Sequence, residues 1–393
     1  MPGKRKTGRG GAKRIGPKPL FVLLVTLGVT VTSSLVLYIC HSKTKPVIPA
    51  YEETRRPTSN LARDIKDIDA IIYEVLYEGG VPERDISFLA VRPRHRSGME
   101  WDFTDLLVRL SEPGQIHPIT SSFAQSLKGL GSLVSYKLER TSRDEALFHL
   151  SSGGYYTHRI RLTSRGYARP ERWPMPRAAL IVDDLGYDRD ILRTLSRINF
   201  PMDLSLLPMS PYREEVIGLA RAKGSELILH LPMEPNNYPE VNPGPGTILA
   251  SMGDREIRNL VGEHIGSMPG VKGVNNHMGS YFTTRPDKMT VVMGELKKRG
   301  LFFVDSRTTT QTVAFEIARK VGVSAANRAV FLDNDLHPKA LAFQMKRLIG
   351  IARQKGSAIG ICHPHKKSFD FLKSYTDRLK GSVKLVRVSE LTN

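Results

Sequence analysis

Cysteine is nearly absent from this chain of 393 residues: only Cys40 and Cys362 occur. Two thiols so far apart exclude a disulfide framework and a cysteine-based zinc site. No G-x-x-x-x-G-K-[ST] stretch is present, which removes a P-loop, and "GPGTILASMG" is not a dinucleotide fingerprint. No G-x-S-x-G elbow supports a serine hydrolase. Acidic residues are missing from positions 1–19, where Lys4, Arg5, Lys6, Arg9, Lys13, Arg14 and Lys18 stand. Charge of either sign is missing from residues 20–40, "LFVLLVTLGVTVTSSLVLYIC".

The last two absences belong together. An uncharged run of this length reaches roughly 30 Å as a helix, one hydrocarbon thickness. A basic flank ahead of it sets the N-terminus in the cytoplasm. The expectation is a basic cytoplasmic tail (1–19), an uncleaved transmembrane helix (20–40), and the remainder outside the membrane. That places the protein in the cell inner membrane as a single-pass protein with a periplasmic or extracytoplasmic C-terminal part. The net charge of +19 is therefore partly that of a tail, and no nucleic-acid partner is expected.

Residues 41–60, "HSKTKPVIPAYEETRRPTSN", have no apolar period and read as a linker. From 61 to 165 a small α+β domain is expected. "LARDIKDIDAIIYEVLYEGG" has helical spacing, "WDFTDLLVRL" alternates like a strand, and "LVSYKLERT", "ALFHLSSGG" and "YYTHRIRLT" read as further strands. His95, His117, His149 and His158 are scattered through it, so it reads as a spacer or as a surface for an envelope protein partner. "TSRGYARPERWPMPRAA" marks the boundary to a last domain, 173–393.

There the pattern becomes a strict alternation of short apolar strands and amphipathic helices, which means a parallel sheet. Polar groups end nearly every strand: Asp183-Asp184, His230, Asn275-Asn276-His277, Asp305-Ser306, Asp333 and His363-Pro364-His365. In a β/α barrel the carboxyl ends of the strands converge on one face, where chemistry occurs. The twin aspartates are the sharpest signal. Adjacent carboxylates repel, and burying them is costly without a compensating cation or proton. A donor set of Asp, His and Glu without Cys suits Zn²⁺ or another divalent ion. Glu234, four residues after His230 in "HLPME", is a further candidate ligand.

"IVDDLGYD", "GSELILHLPMEP", "GVNNHMGS" and "GICHPH" together resemble the divergent branch of the polysaccharide deacetylases, over about residues 175–390. The resemblance implies an α/β fold, an incomplete, seven-stranded (β/α) barrel, here preceded by the transmembrane anchor and the small α+β domain. It implies Asp183 as base and Asp184 as metal ligand. It maps the first histidine ligand to His230, whereas Glu234 occupies the place of the second, so His277 completes the expected set. It implies His363 as the catalytic histidine. The expected chemistry is metal-assisted removal of N-acetyl groups, most readily with Zn²⁺. In it Asp183 takes the proton of water, His363 protonates the amine, and Asp305 or Asp333 orients a histidine or a sugar hydroxyl. The expected substrate is an N-acetylated polysaccharide or peptidoglycan-type glycan of the envelope. The alternative is an inactive glycan-binding or envelope-organising protein on the same fold.

Overall fold

The structure, a computed structural model, describes residues 60–82, 85–97, 99–131, 133–165, 175–199 and 201–392. The basic tail, the expected membrane segment 20–40 and the linker lie outside these residues. Among the described residues no helix is long and apolar enough to cross a membrane.

Residues 60–163 form helix α1 (Asn60–Glu78), strands β1 (Ile86–Arg96) and β2 (Met99–Arg109), helix α2 (Ile116–Lys128), and strands β3 (Val134–Ser142), β4 (Glu145–Ser152) and β5 (Tyr155–Thr163). The five strands make one sheet in the order β1-β2-β5-β4-β3, with β2 and β5 parallel and the other pairs antiparallel. Strand β1 is the element that the sequence pattern hides. Its second half, Arg92-Pro93-Arg94-His95-Arg96, carries no apolar alternation, because it extends along the sheet edge towards solvent.

From residue 177 the β/α series runs β6 (Arg177–Leu185), α3 (Arg189–Ser196), β7 (Asp203–Leu206), α4 (Arg213–Lys223), β8 (Leu227–Met233), α5 (Asp254–Gly266), β9 (Val271–Met278), α6 (Pro286–Lys298), β10 (Phe302–Asp305), α7 (Ala314–Val321), β11 (Ala325–Asn327), β12 (Val330–Phe331), α8 (Pro338–Lys355), β13 (Ser357–Cys362), α9 (Lys366–Lys380) and β14 (Lys384–Leu385). The sheet is parallel and ordered β11-β10-β9-β8-β7-β6-β13-β12. The path runs from β11 to β12 without closing, so the barrel is incomplete, as expected. It has nine strands rather than seven. The eighth is β14, which lies in "VKLVRV", a stretch that the sequence marks only weakly as a last strand, and pairs with β6; the ninth is β11, too short to carry a period.

Alternation along each strand sorts side chains into two layers. Ala178, Leu180 and Val182 of β6 face the helices, while Ala179 and Ile181 face the interior. Ile228, Phe302, Val304, Phe331, Ile359 and Ile361 fill that interior with them. The floor is supplied by the segment after β14: Val386, Val388 and Leu391 join the same interior cluster. Asp203, inward at the start of β7, fixes this floor by accepting the Val388 N–H at 2.7 Å and Arg387 Nη1 at 3.2 Å. Gly273 of β9 is required by the same packing, since a Cβ there would lie 2.2 Å from Phe302.

Helix α8 is apolar on two sides, and the reason is its position between the two sheets. Its Phe343 meets Phe88 of β1 at 5.2 Å between ring centroids, and its Leu348 packs over Gly360 of β13. Arg347 on the same helix reaches Asp102 at 2.5 Å and Asp69 at 3.8 Å.

Candidate active site

The interior layers predict which strand-end groups meet. Counting by two from Ile181 brings Asp183 inward. The same parity brings in His230 from Ile228, Ser306 from Val304, Asp333 from Phe331, and His363 from Ile361. On β9 it is Gly273, Asn275 and His277 that face in, opposite to the outward Val274. All of these polar groups are buried above the apolar floor.

Asp184 should then face outward, and it does not. The β6–β7 register shifts between Val182 and Leu185, and Asp184 adopts φ 55°. A left-handed non-glycine residue costs of order 1–3 kcal/mol and persists only where its surroundings impose it. Here the kink turns both neighbouring carboxylates into one site. Asp184 Oδ1 lies 2.9 Å from His230 Nε2 and 2.9 Å from His277 Nδ1, and the two imidazole nitrogens are 3.2 Å apart. Neither oxygen of Asp184, nor His277 Nε2, has a hydrogen-bond partner. Three potential ligand atoms crowd together in a buried space, and both oxygens of the carboxylate among them lack a hydrogen-bond partner, which is the pattern of a cation site. Their spacing is close to the ~3.3 Å edge of a tetrahedron with ~2.0 Å bonds. Asp184, His230 and His277 could therefore hold a divalent metal ion.

Burial pushes the Asp183 carboxyl up from its ordinary value, and the neighbouring Asp184 adds to this against the pull of His230. Burial also acts on Asp184, but His277 and His230 outweigh it and hold that carboxyl well below the usual range. Two adjacent aspartates are thus pushed in opposite directions, the arrangement that separates a proton acceptor from a permanent anion.

Asn275 is a strand-end residue to which sequence reasoning gave no role. Its Nδ2 donates to Asp183 at 2.9 and 3.0 Å and to Ser306 Oγ at 3.4 Å. Its Oδ1 accepts Ser205 Oγ at 2.7 Å and faces His230 Nδ1 at 2.9 Å. An amide oxygen only accepts, so His230 carries its proton on Nδ1 and turns the Nε2 lone pair towards Asp184. The signal was present in the alternation, which puts Asn275 on the same face as His277.

His363 is held by Asp333, which receives its backbone N–H and its Nδ1, both at 2.8 Å, and also Ser368 Oγ at 2.6 Å. This leaves Nε2 as the nitrogen directed away from Asp333. His363 is close enough to Asp183 to act on its carboxyl electrostatically.

Two expected residues go elsewhere. Asp305 takes the outward parity, with Phe303. It accepts the Arg307 N–H and the Thr312 hydroxyl, each at 2.8 Å, so it shapes the turn after β10, and the orienting carboxylate for His363 is Asp333. Glu234 accepts the Ala250 N–H at 2.6 Å and braces a loop, apart from the three-residue cluster.

Comparison with known proteins agrees with this geometry. The family model described as divergent polysaccharide deacetylase matches residues 180–392. The chain is 32% identical over 215 residues to the uncharacterized protein YibQ of Escherichia coli, covering 55% of this chain and 67% of that one. It is 32% identical over 218 residues to an uncharacterized protein of Haemophilus influenzae, covering 54% and 75%. The crystal structure of the uncharacterized protein ATU2773 from Agrobacterium tumefaciens superposes with a TM-score of 0.54 at 27% identity, covering 57% of this chain and 93% of that one. With its matched segment spanning nearly all of the barrel and every residue of the site, the chain belongs to the divergent polysaccharide deacetylase family.

Proposed function

We propose that this protein is a metal-dependent deacetylase that removes N-acetyl groups from an envelope glycan. The observation that carries the reading is the kinked pair: Asp184 sits among His230 and His277 without hydrogen bonds, and Asp183 beside it is held by Asn275. Asp184, His230 and His277 are the ligands. The bound ion, Zn²⁺ in the first instance, supplies Lewis acidity towards an acetamide carbonyl and lowers the pKa of water.

Asp183 accepts the proton of the attacking water. Burial raises the proton affinity of this carboxyl, and the two Asn275 contacts fix its direction. His363 gives a proton to the departing amine through Nε2, with Asp333 fixing the ring from the other side. We further propose that residues 20–40 anchor the chain in the inner membrane and place the barrel on the extracytoplasmic side, where acetylated envelope glycans occur. The domain of residues 61–165 would serve there as a spacer or as a surface for a protein partner.

Metal analysis of the purified full-length chain, alongside hydrolysis of an N-acetylglucosamine oligomer, tests the reading. About one divalent ion per chain is expected, with hydrolysis lost on chelation and regained with Zn²⁺. Tight metal binding without hydrolysis of any acetylated saccharide would replace the enzyme with a glycan-binding protein. Absence of bound metal would remove the ligand assignment as well. A reporter fused after residue 393 should be active only outside the cytoplasm, and a cytoplasm-active fusion would overturn the orientation.

A further inference from the structure

The barrel is open between β11 and β12–β13, and the opening is a cavity of about 470 Å³. Four cations line it: Arg307, Arg319, Arg328 and Lys355. Its one acidic lining residue, Asp102, is engaged by Arg347 at 2.5 Å. Among the described residues no ion pair or side-chain hydrogen bond engages Arg319 or Lys355, both of which are exposed. Arg328 is fixed. Its guanidinium lies over the Phe331 ring at 3.7 Å, its Nε donates to Ser306 O at 2.6 Å, and its Nη2 donates to Arg307 O at 3.1 Å. Arg307 itself is held at φ 50° by the Asp305 carboxylate, which receives its N–H. Trp101 from the small sheet forms part of the wall, with its Nε1 already given to Tyr156 O at 2.8 Å.

This cavity is joined to the proposed site by a short chain of contacts. Asp183 is bonded to Asn275, Asn275 to Ser306, and the Ser306 carbonyl to Arg328. A ligand in the seam is therefore linked to the site through Arg328, Ser306 and Asn275, while the opposite wall of the cavity reaches Ser357 at the start of β13 and Leu391 of the floor. The combination of cations, hydroxyl and amide groups (Thr309, Thr310, Asn327, Ser357) and two aromatic rings (Trp101, Phe315) is that of a site for a charged sugar.

We propose that the open seam is a subsite for an oxyanion, a carboxylate or a phosphate, carried by the saccharide substrate. This deepens the deacetylase reading and rests on it for the position of the acetamide. Arg328 and Arg307 form its ordered end, tied to Asn275 through Ser306, and Arg319 and Lys355 its solvent-facing end.

The test is calorimetric binding to the full-length chain of N-acetylglucosamine, N-acetylglucosamine 6-phosphate and N-acetylmuramic acid, in wild type and in the Arg319→Gln/Lys355→Gln double variant. Because both substituted residues are exposed, the fold is expected to survive, and a thermal melt verifies it. At least one anionic sugar should bind about tenfold or more tightly than the neutral one, as one or two charge-assisted contacts permit. The variant should lose that preference, and added salt should weaken it. The sugar showing the preference identifies the phosphate or the carboxylate. Equal binding of all three, or a preference retained by the double variant, overturns the subsite. Hydrolysis of neutral oligomers with no anion preference would sink this inference and leave the deacetylase. An anion preference abolished by the variant, in a chain that hydrolyses nothing, would sink the deacetylase and leave the subsite.

Discussion

Asp183 and Asp184 are chemically identical neighbours, and what distinguishes them is the backbone between them. The left-handed turn at Asp184 hands one carboxylate to two imidazoles and the other to an amide. Their asparagine variants should therefore fail differently. Asp183→Asn should keep its metal and lose ~10²–10⁴-fold in turnover, since a proton acceptor is gone and the shape remains. Asp184→Asn should lose metal affinity first and recover in part with excess Zn²⁺. Metal content and hydrolysis measured side by side decide between this and a mere turn, in which both variants would match wild type. Asn275→Ala should lower metal affinity ~10–100-fold without touching a ligand, because His230 loses the acceptor that fixes its tautomer. A metal titration of that variant checks it. At this scale the sequence revealed the residue types and their places at strand ends. It did not separate Asp305 from Ser306, although alternation from Phe303 would have shown which one faces in. It could not reveal the kink that reverses Asp184, because a left-handed aspartate leaves no compositional mark.

The strand-to-helix turn after β6 shows how an element carries the site. Gly186, at φ 115°, follows the twin aspartates, and a Cβ there would lie 2.0 Å from Ser210 Oγ and 2.9 Å from Leu206. Asp188 then caps α3 by accepting the Asp190 and Ile191 N–H groups at 2.8 and 3.2 Å. Gly186→Ala should destabilise the protein by roughly 1–3 kcal/mol and weaken metal binding, since the turn that aims Asp184 must shift. A melt combined with a metal titration reads both effects, and unchanged metal affinity would show that the turn and the ligand are uncoupled. The helices and longer strands of the barrel were legible from their periods. Strand β1 was not, because its charged outer half imitates a loop. Strand β11 was not, because three residues hold no period.

The whole molecule is held from beneath by a pairing between distant segments. Asp203 is buried, and its carboxyl is pushed up to about 6 from 3.8 by burial, against the Val388 and Glu226 N–H groups. The folded state therefore keeps a proton that the unfolded chain releases. The stability linked to this group is fully present below about pH 4 and is lost as pH rises through about 6. Relative to Asp203→Asn, the wild type should lose roughly 1–3 kcal/mol between pH 4 and pH 7, read from urea midpoints at each pH. A parallel pair of curves would show that Asp203 does not titrate there. Removal of residues 386–393 should cost more, since Val386, Val388 and Leu391 each contribute about 1.5–3 kcal/mol by burial. A truncated chain that melts like the full one would show that the floor is dispensable. The sequence suggested the last strand only weakly, since a two-residue pairing does not disclose that the segment after it ends in the middle of the barrel.

That floor sets a timetable for the chain as it is made. Ala178 of β6 is paired with Leu385, and at about 5–20 residues per second it waits roughly 10–40 s for that partner to be synthesised. During this interval the barrel's inner wall has no floor, and Ile181, Ile228 and then Val304 are open to water, to chaperones and to neighbouring chains. A protease present at that stage would find unpaired strands where it later finds paired ones. Folding of this protein is therefore governed less by how fast each β/α unit forms than by the arrival of a handful of late residues.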